Sequence, residues 1–472
     1  MLNSKLNDYT QSMNVYELNR FYKYIQSPLY NEDDKLRKFV AAILTYAKNN
    51  ELHQLENQKI WKFVFGSTPY NRTKFIRLLS DTVKKVEHFL IIDRFQQQKV
   101  YQQTYLIEIM NERKLDKHVP ELMNHTFYKH EKNELRDSSH YYINFLLQQQ
   151  KNLHLENREL RSPNKNIEEV INSLDVFYFI NKLKYGAALL HYKNFLSIEA
   201  DTALMQEVLQ EVEKKKYEHI PIVQMYRFII LSFTKSENQL HYQNLKSLIL
   251  LHSGKITISE AKTVFSFAMN YCINQINLGH LNYLEEILTL YKQALQNDLL
   301  LEDGQLSQWD YKNITTVALR VKDYQWVKEF IENYKKILPE ADRQNAYRFN
   351  LARYFFYMRK YDRVLQLLQT IDYNDIFYQL DSKTTLLKTY YELGEWQPLY
   401  SLKDSFRILL RRKKLITPQQ KTNYMNLLKL TLKLFKCDVN NKHTLKQLKL
   451  EIETTQNVAD KSWLLEKMDE LQ

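Results

Sequence analysis

Glycine and proline are nearly missing from this chain of 472 residues, which has six of the first and eight of the second. Average usage would supply about five times as many glycines and about three times as many prolines. Glycine provides left-handed turns and close backbone approach, and proline stops helices. Their scarcity excludes hairpin-rich sandwiches, phosphate-cradling loops and long Gly/Pro linkers. The six glycines stand alone at 66, 186, 254, 279, 304 and 394. Cysteine is almost absent too: Cys272 and Cys437 stand 165 positions apart. That spacing offers no disulfide framework and no zinc motif, and it fits a reducing compartment. No apolar run reaches the ~20 residues that span a bilayer. The polar stretch from Met1 to Ser12 carries no secretory h-region. A cytoplasmic protein without a membrane partner is expected.

What the chain does have is apolar and aromatic mass. It is 44% hydrophobic and 13% aromatic, enough to bury a sizeable core. Its net charge is +12 with a pI near 9.1, a balance that suits nucleic acid. However, the positive charge is carried by 48 lysines against 19 arginines and is spread along the whole chain. A solvated basic surface explains it as well, since arginine is the better bidentate reader of phosphate.

The few breakers punctuate helical patterns. Pro28 and Pro69 each lie in a turn ending Tyr-Asn, at Asn31 and Asn71. Each asparagine is placed to cap the helix that follows. Ser162 and Pro163 fall in a loop-like segment from Arg158 to Asn166, and Ala203–Lys216 reads as one amphipathic helix. Pro221 and Pro418 open further helices at their first turn. No credible strand is expected. The fold expected is all-α, about twenty helices arranged as an α-solenoid of stacked antiparallel hairpins. Its organisation reads as helical hairpins over 1–157, connecting helices over 166–219, repeats over 220–415 and capping helices over 416–472.

Four segments share one register around the anchors Leu281, Tyr324, Tyr361 and Trp396, which are 43, 37 and 35 residues apart. Two positions before them stand Gly279, Lys322, Arg359 and Gly394, at the turn between paired helices. Nine before stand Cys272, Thr315, Ala352 and Leu387, and three after stand Leu284, Val327, Val364 and Leu399. Tyr271, Tyr291, Tyr334 and Phe406 occupy further inter-helix positions. A looser unit runs through Pro221, Tyr226, Ile230, Tyr242 and Leu245.

These segments resemble tetratricopeptide repeats, a 34-residue helix–turn–helix unit. Cys272, Thr315 and Ala352 fall where that family has its small packing residue, and Pro339 where it has its closing proline. The chain departs from the family in its irregular spacing and in the Leu or Val that replaces the alanine after the turn. As a whole it also resembles an uncharacterised family of bacterial helical-repeat proteins. That likeness rests on Ser27-Pro28-Leu29-Tyr30-Asn31, Trp61…Phe65…Pro69-Tyr70-Asn71, Asn270-Tyr271-Cys272-Ile273 and Tyr390-Tyr391-Glu392-Leu393. It implies no activity.

Eleven before the anchors stand Asn270, Asn313 and Asn350, followed in the fourth repeat by Thr385. In tetratricopeptide repeats this position often carries an asparagine facing the groove, where one amide can both donate to and accept from an extended peptide backbone. Eight and four before the anchors, Arg353, Lys388 and Arg320 fall on the same helix face. Asn270, Asn313, Arg320, Asn350, Arg353 and Lys388 are therefore the candidate partner-binding residues for a protein or an acidic, carboxylate-ending peptide. The alternative is a solvated face, or asparagines bonding their own helix backbone. A second function class is a basic regulator of nucleic acid, for which Arg411-Arg412-Lys413-Lys414 is the one compact run.

Enzymatic chemistry has no motif here. H-E-x-x-H, C-x-x-C and G-x-S-x-G are absent from the sequence. His125 and His130 are five apart and share no helix face, so neither a metal nor a cofactor is expected. Asp372, Asp375 and Asp381 read as loop caps.

Overall fold

The computed structural model describes residues 4–48, 56–157, 166–196, 203–368, 375–412, 415–438 and 441–471. Among them are 24 α-helices and a single two-stranded hairpin, so the fold is all-α. No helix among the described residues is long and apolar enough to cross a membrane. The chain divides into two compact units, Met1–Lys182 and Leu183–Gln472. This two-way division falls inside a helix.

The first unit contains α1 (Ser4–Ser12), α2 (Val15–Gln26), α3 (Asp34–Lys48), α4 (Asn57–Phe65), α5 (Arg72–Gln97), α6 (Lys99–Glu112), α7 (Val119–Lys132) and α8 (Ser138–Asn157). It ends within α9 (Asn166–Leu196). Helices α1, α2 and α3 lie against the long α5 around Phe21, Phe39, Phe75 and Phe89. A charge-assisted pair crosses that core: Arg20 Nε and Nη2 donate to Asp93 at 2.6 and 2.8 Å, and Gln97 adds a third bond at 3.0 Å. Asn71 caps α5 through the Lys74 N–H, as its spacing predicts. Asn31 does not cap α3. It is buried, its amide donating to the Ile25 and Asp33 carbonyls, and Asp33 takes the capping role. Helices α6, α7 and α8 form a second, smaller core of Ile107, Met110, Val119, Met123 and Leu147.

The second unit continues with α10 (Met205–Glu211), α11 (Lys215–Glu218), α12 (Pro221–Thr234), α13 (Gln239–His252), α14 (Ile258–Asn277) and α15 (Tyr283–Gln296). Then follow α16 (Gln308–Val321), α17 (Tyr324–Tyr334), α18 (Glu340–Tyr357), α19 (Tyr361–Leu368), α20 (Ile376–Leu393), α21 (Trp396–Arg412), α22 (Pro418–Phe435), α23 (Lys442–Thr454) and α24 (Lys461–Glu470). The helix expected over Ala203–Lys216 is thus broken into α10 and α11.

From α12 onward each helix packs on the next, and α16, α18, α20, α22 and α24 also pack on one another in order. The register explains why. Cys272, Thr315, Ala352 and Leu387 are all fully buried, as are Val327, Val364 and Leu399. The turn residues Gly279, Lys322, Arg359 and Gly394 all take positive φ, at 98°, 66°, 54° and 71°. Two of these are not glycine, so the turn geometry is held against side-chain preference. Tyr324, Tyr361 and Trp396 begin the second helices of their pairs, whereas Leu281 lies exposed before α15.

The expectation of no strand fails between α15 and α16. There β1 (Leu301–Glu302) pairs antiparallel with β2 (Gln305–Leu306). Asp303 and Gly304 both have positive φ, the signature of a two-residue hairpin turn. The Asp-Gly pair was legible, but two residues per strand are too few to show alternation. The loop residues 158–165, Asp372 and Lys413-Lys414 lie outside the described residues.

Candidate functional site

Helices α16, α18 and α20 are successive first helices of their pairs, and their exposed faces meet over a cavity of about 260 Å³. Its lining includes Lys312, Asn313 and Thr316 from α16, and Arg353, Phe356 and Tyr357 from α18. Asp381, Thr384, Thr385 and Lys388 come from α20, and Asp460 from the turn before α24. The i, i+4 spacing of Lys312 and Thr316, and the i, i+4, i+7 spacing of Asp381, Thr385 and Lys388, turns these side chains to one side of each helix.

The polar groups are arranged in rows. Lys312 pairs with Asp381 while its ammonium lies over the rings of Trp309 and Tyr378, at 5.5 and 5.2 Å. Arg353 donates to the Thr316 hydroxyl, with its guanidinium 5.9 Å from the Phe349 ring. Lys388 pairs with Asp460 and lies between Phe356 at 5.2 Å and Trp463 at 5.5 Å. Aromatic faces shield the two lysines from water and strengthen their hold on a carboxylate.

Asp460 reaches this place from outside the repeat. Its backbone is left-handed (φ 50°), and it precedes α24 without using its side chain as a cap. The turn is pinned to α22: Ala459 N–H donates to the Asn423 carbonyl at 3.1 Å, and Asn426 donates to the Asn457 carbonyl at 3.1 Å. Burial alone would raise the Asp460 pKa. The fields of Lys388, Arg353 and Arg320 outweigh it and leave the carboxyl below its ordinary value. On α24 beyond it, Lys467 is buried and bonds Glu392 at 2.8 Å and Glu470 at 2.7 Å.

Of the six residues singled out in the sequence, Asn313, Arg353 and Lys388 are brought together in the cavity wall. Arg320 is exposed and does not line it, but its charge acts on Asp460. Asn270 is half-buried on α14, away from this lining. Asn350 is fully buried and donates to the Ala346 carbonyl at 2.8 Å, so it presents no amide to a groove. The reason is crowding: α16, α17, α19 and α20 all lie against its helix. Lys312 was not foreseen, although it stands four residues before Thr316 on the same face. No sequence signal points to Asp460. Asp375 caps α20 as expected, through the Phe377 and Tyr378 N–H groups. Asp381 instead forms the ion pair with Lys312.

Compared with protein-family models, with curated proteins and with solved structures, the chain matches none.

Proposed function

We propose that residues 220–415 form the tetratricopeptide-like part of an α-solenoid, a non-catalytic scaffold that binds a protein or an acidic or carboxylate-ending peptide along α16, α18 and α20. The serial packing of these helices and the left-handed turns at one register position support the architecture. One observation carries the ligand class: an Asp carboxylate from another part of the chain already sits against Lys388, within the fields of Arg353 and Arg320. Such a wall selects carboxylates because it offers charge together with a partly dehydrated aromatic surround. An incoming acidic peptide competes with Asp460 for Lys388.

The test is fluorescence-anisotropy titration of the full chain with a set of acidic peptides, including amidated C-termini. Lys388→Ala with Arg353→Ala weakens binding about tenfold or more, the loss expected for charge-assisted hydrogen bonds. Asp460→Asn tightens it, because the internal competitor loses its charge. Binding that is indifferent to all three substitutions overturns the reading. The nucleic-acid reading makes the opposite forecast, an affinity for oligonucleotides that falls steeply with salt.

A further inference from the structure

His125, five residues before His130 on α7, is exposed. The structure pairs His130 with His140. His130 lies in the last turn of α7 and His140 in the first turn of α8. The short connection between them brings the rings together, with centroids 4.0 Å apart and planes 11° from parallel. Both side chains are almost fully removed from solvent, at 2% and 6% exposure. His130 Nε2 and His140 Nδ1 are buried without a hydrogen-bond partner. An unmet buried polar group is costly, and a ligand shared by these two nitrogens would satisfy both at once. A carboxylate oxygen of Glu131 and one ring nitrogen of each histidine all lie within 4.8 Å of one another.

We propose that His130, His140 and Glu131 form a binding site for a divalent transition-metal ion, with Zn²⁺ as the occupant their chemistry favours. Imidazole nitrogen and carboxylate oxygen are zinc donors, and two histidines with one glutamate make a three-ligand set that leaves a fourth position for water. The surroundings suit a metal clip between two helices. Asp137 accepts the His140 backbone N–H at 3.1 Å and fixes the start of α8. Arg136 is anchored on backbone carbonyls, including that of Glu131 at 2.9 Å, and reaches the Glu131 carboxylate only at 3.3 Å. One carboxylate oxygen can thus stay with Arg136 while the other binds the ion, the outer-shell arrangement that tunes metal ligands. Glu131 is largely exposed and gives the ion a route in from solvent. The nearly parallel rings set one condition: an imidazole must turn about its Cβ–Cγ bond until both lone pairs converge on an ion about 2.0–2.1 Å away.

The experiment titrates the EDTA-treated full chain with Zn²⁺ by calorimetry and with Co²⁺ by visible absorption. One tight Zn²⁺ per chain is expected, with the ligand-field bands of a low-coordinate Co²⁺ site. His130→Gln and His140→Asn keep a polar side chain and remove the imidazole, weakening the site by more than about tenfold, and Glu131→Gln weakens it too. His125→Ala leaves it unchanged. Zinc also raises the thermal midpoint of the wild type and not that of the histidine variants. X-ray absorption on the zinc-loaded wild type needs no variant and must show imidazole scattering. Affinity unaltered by the histidine changes, or a zinc shell without imidazole, overturns the proposal.

Discussion

The two units bury their polar groups in different ways. From α12 onward, one register position is fully buried in successive helix pairs, at Cys272, Thr315, Ala352 and Leu387. Three buried threonines there bond back along their own helices, Thr315 to Tyr311, Thr385 to Asp381 and Thr389 to Thr385, while tyrosines such as Tyr226 and Tyr311 bond across to a neighbouring helix. Around α6–α8, Thr104 and Thr126 also bond back along their own helices, and polar or ring contacts between helices stand beside them. Asn111 donates to the Gln150 carbonyl at 3.2 Å, and His130 stacks on His140. The apolar core beside them is small. A repeated apolar register needs no specific polar partner, so its turns and surfaces are free to vary. A polar interior needs each partner in place.

Cutting into the apolar register has the largest expected effect. Phe349 is fully buried against Tyr378, with ring centroids 5.0 Å apart. Phe349→Ala costs about 3–5 kcal/mol in urea unfolding. A loss below about 1 kcal/mol would mean that the second unit does not depend on this core.

The next effect lies in the first unit. Arg20→Ala leaves the mostly buried Asp93 carboxylate with Gln97 alone and costs about 1.5–3 kcal/mol at neutral pH. The Arg20 hydrogen bond, working against burial, lowers the Asp93 pKa. A depressed carboxyl stabilises fully above its unfolded value of about 4 and loses that contribution as pH falls through the folded value. Wild type and variant therefore converge in stability toward strongly acidic pH; a constant gap would break the assignment.

Thiol reactivity sharpens the contrast between interior and rim. Cys272 is fully buried, donates to the Tyr242 hydroxyl at 3.1 Å, and has its pKa pushed up by burial to about 12. Cys437 is half-buried and its pKa is raised as well, again mainly by burial. Under native conditions a thiol reagent modifies Cys437 slowly, and Cys272 only after unfolding. Rapid native labelling of Cys272 would show that this interior opens.

The smallest effects are at the turns. Gly394→Ala at φ 71° costs about 1 kcal/mol, while Lys322→Gly at φ 66° gains a comparable amount. Equal signs at the two positions would show that they are not equivalent turns.

Helices were legible because apolar residues recur along them and prolines mark their starts, as at Pro221 and Pro418. The shared register was legible at its packing positions, Cys272, Thr315, Ala352 and Leu387, since burial acts on residue size and polarity. The groove was half legible. Arg353 and Lys388 share a face that spacing alone defines, but Asn350 carries the same letter as Asn313 and lies in the interior. Helix crowding, which separates the two, is a tertiary property. The His130–His140 pair was hidden because ten residues of sequence, with a turn between, carry no periodic signal. Asp460 was hidden for the same reason at greater distance.

The Asp303-Gly304 hairpin has a consequence for how this chain can vary. It lies in the longest interval between anchors, 43 residues against 37 and 35. Lys262 Nζ holds its Leu301 carbonyl at 2.6 Å, and Leu306 is fully buried at its base. The base is therefore fixed and the tip is free, so the hairpin takes up surplus length without moving the helices on either side. An epitope or a fluorescent label spliced between Asp303 and Gly304 would report on the molecule while leaving the phase of every helix downstream unchanged.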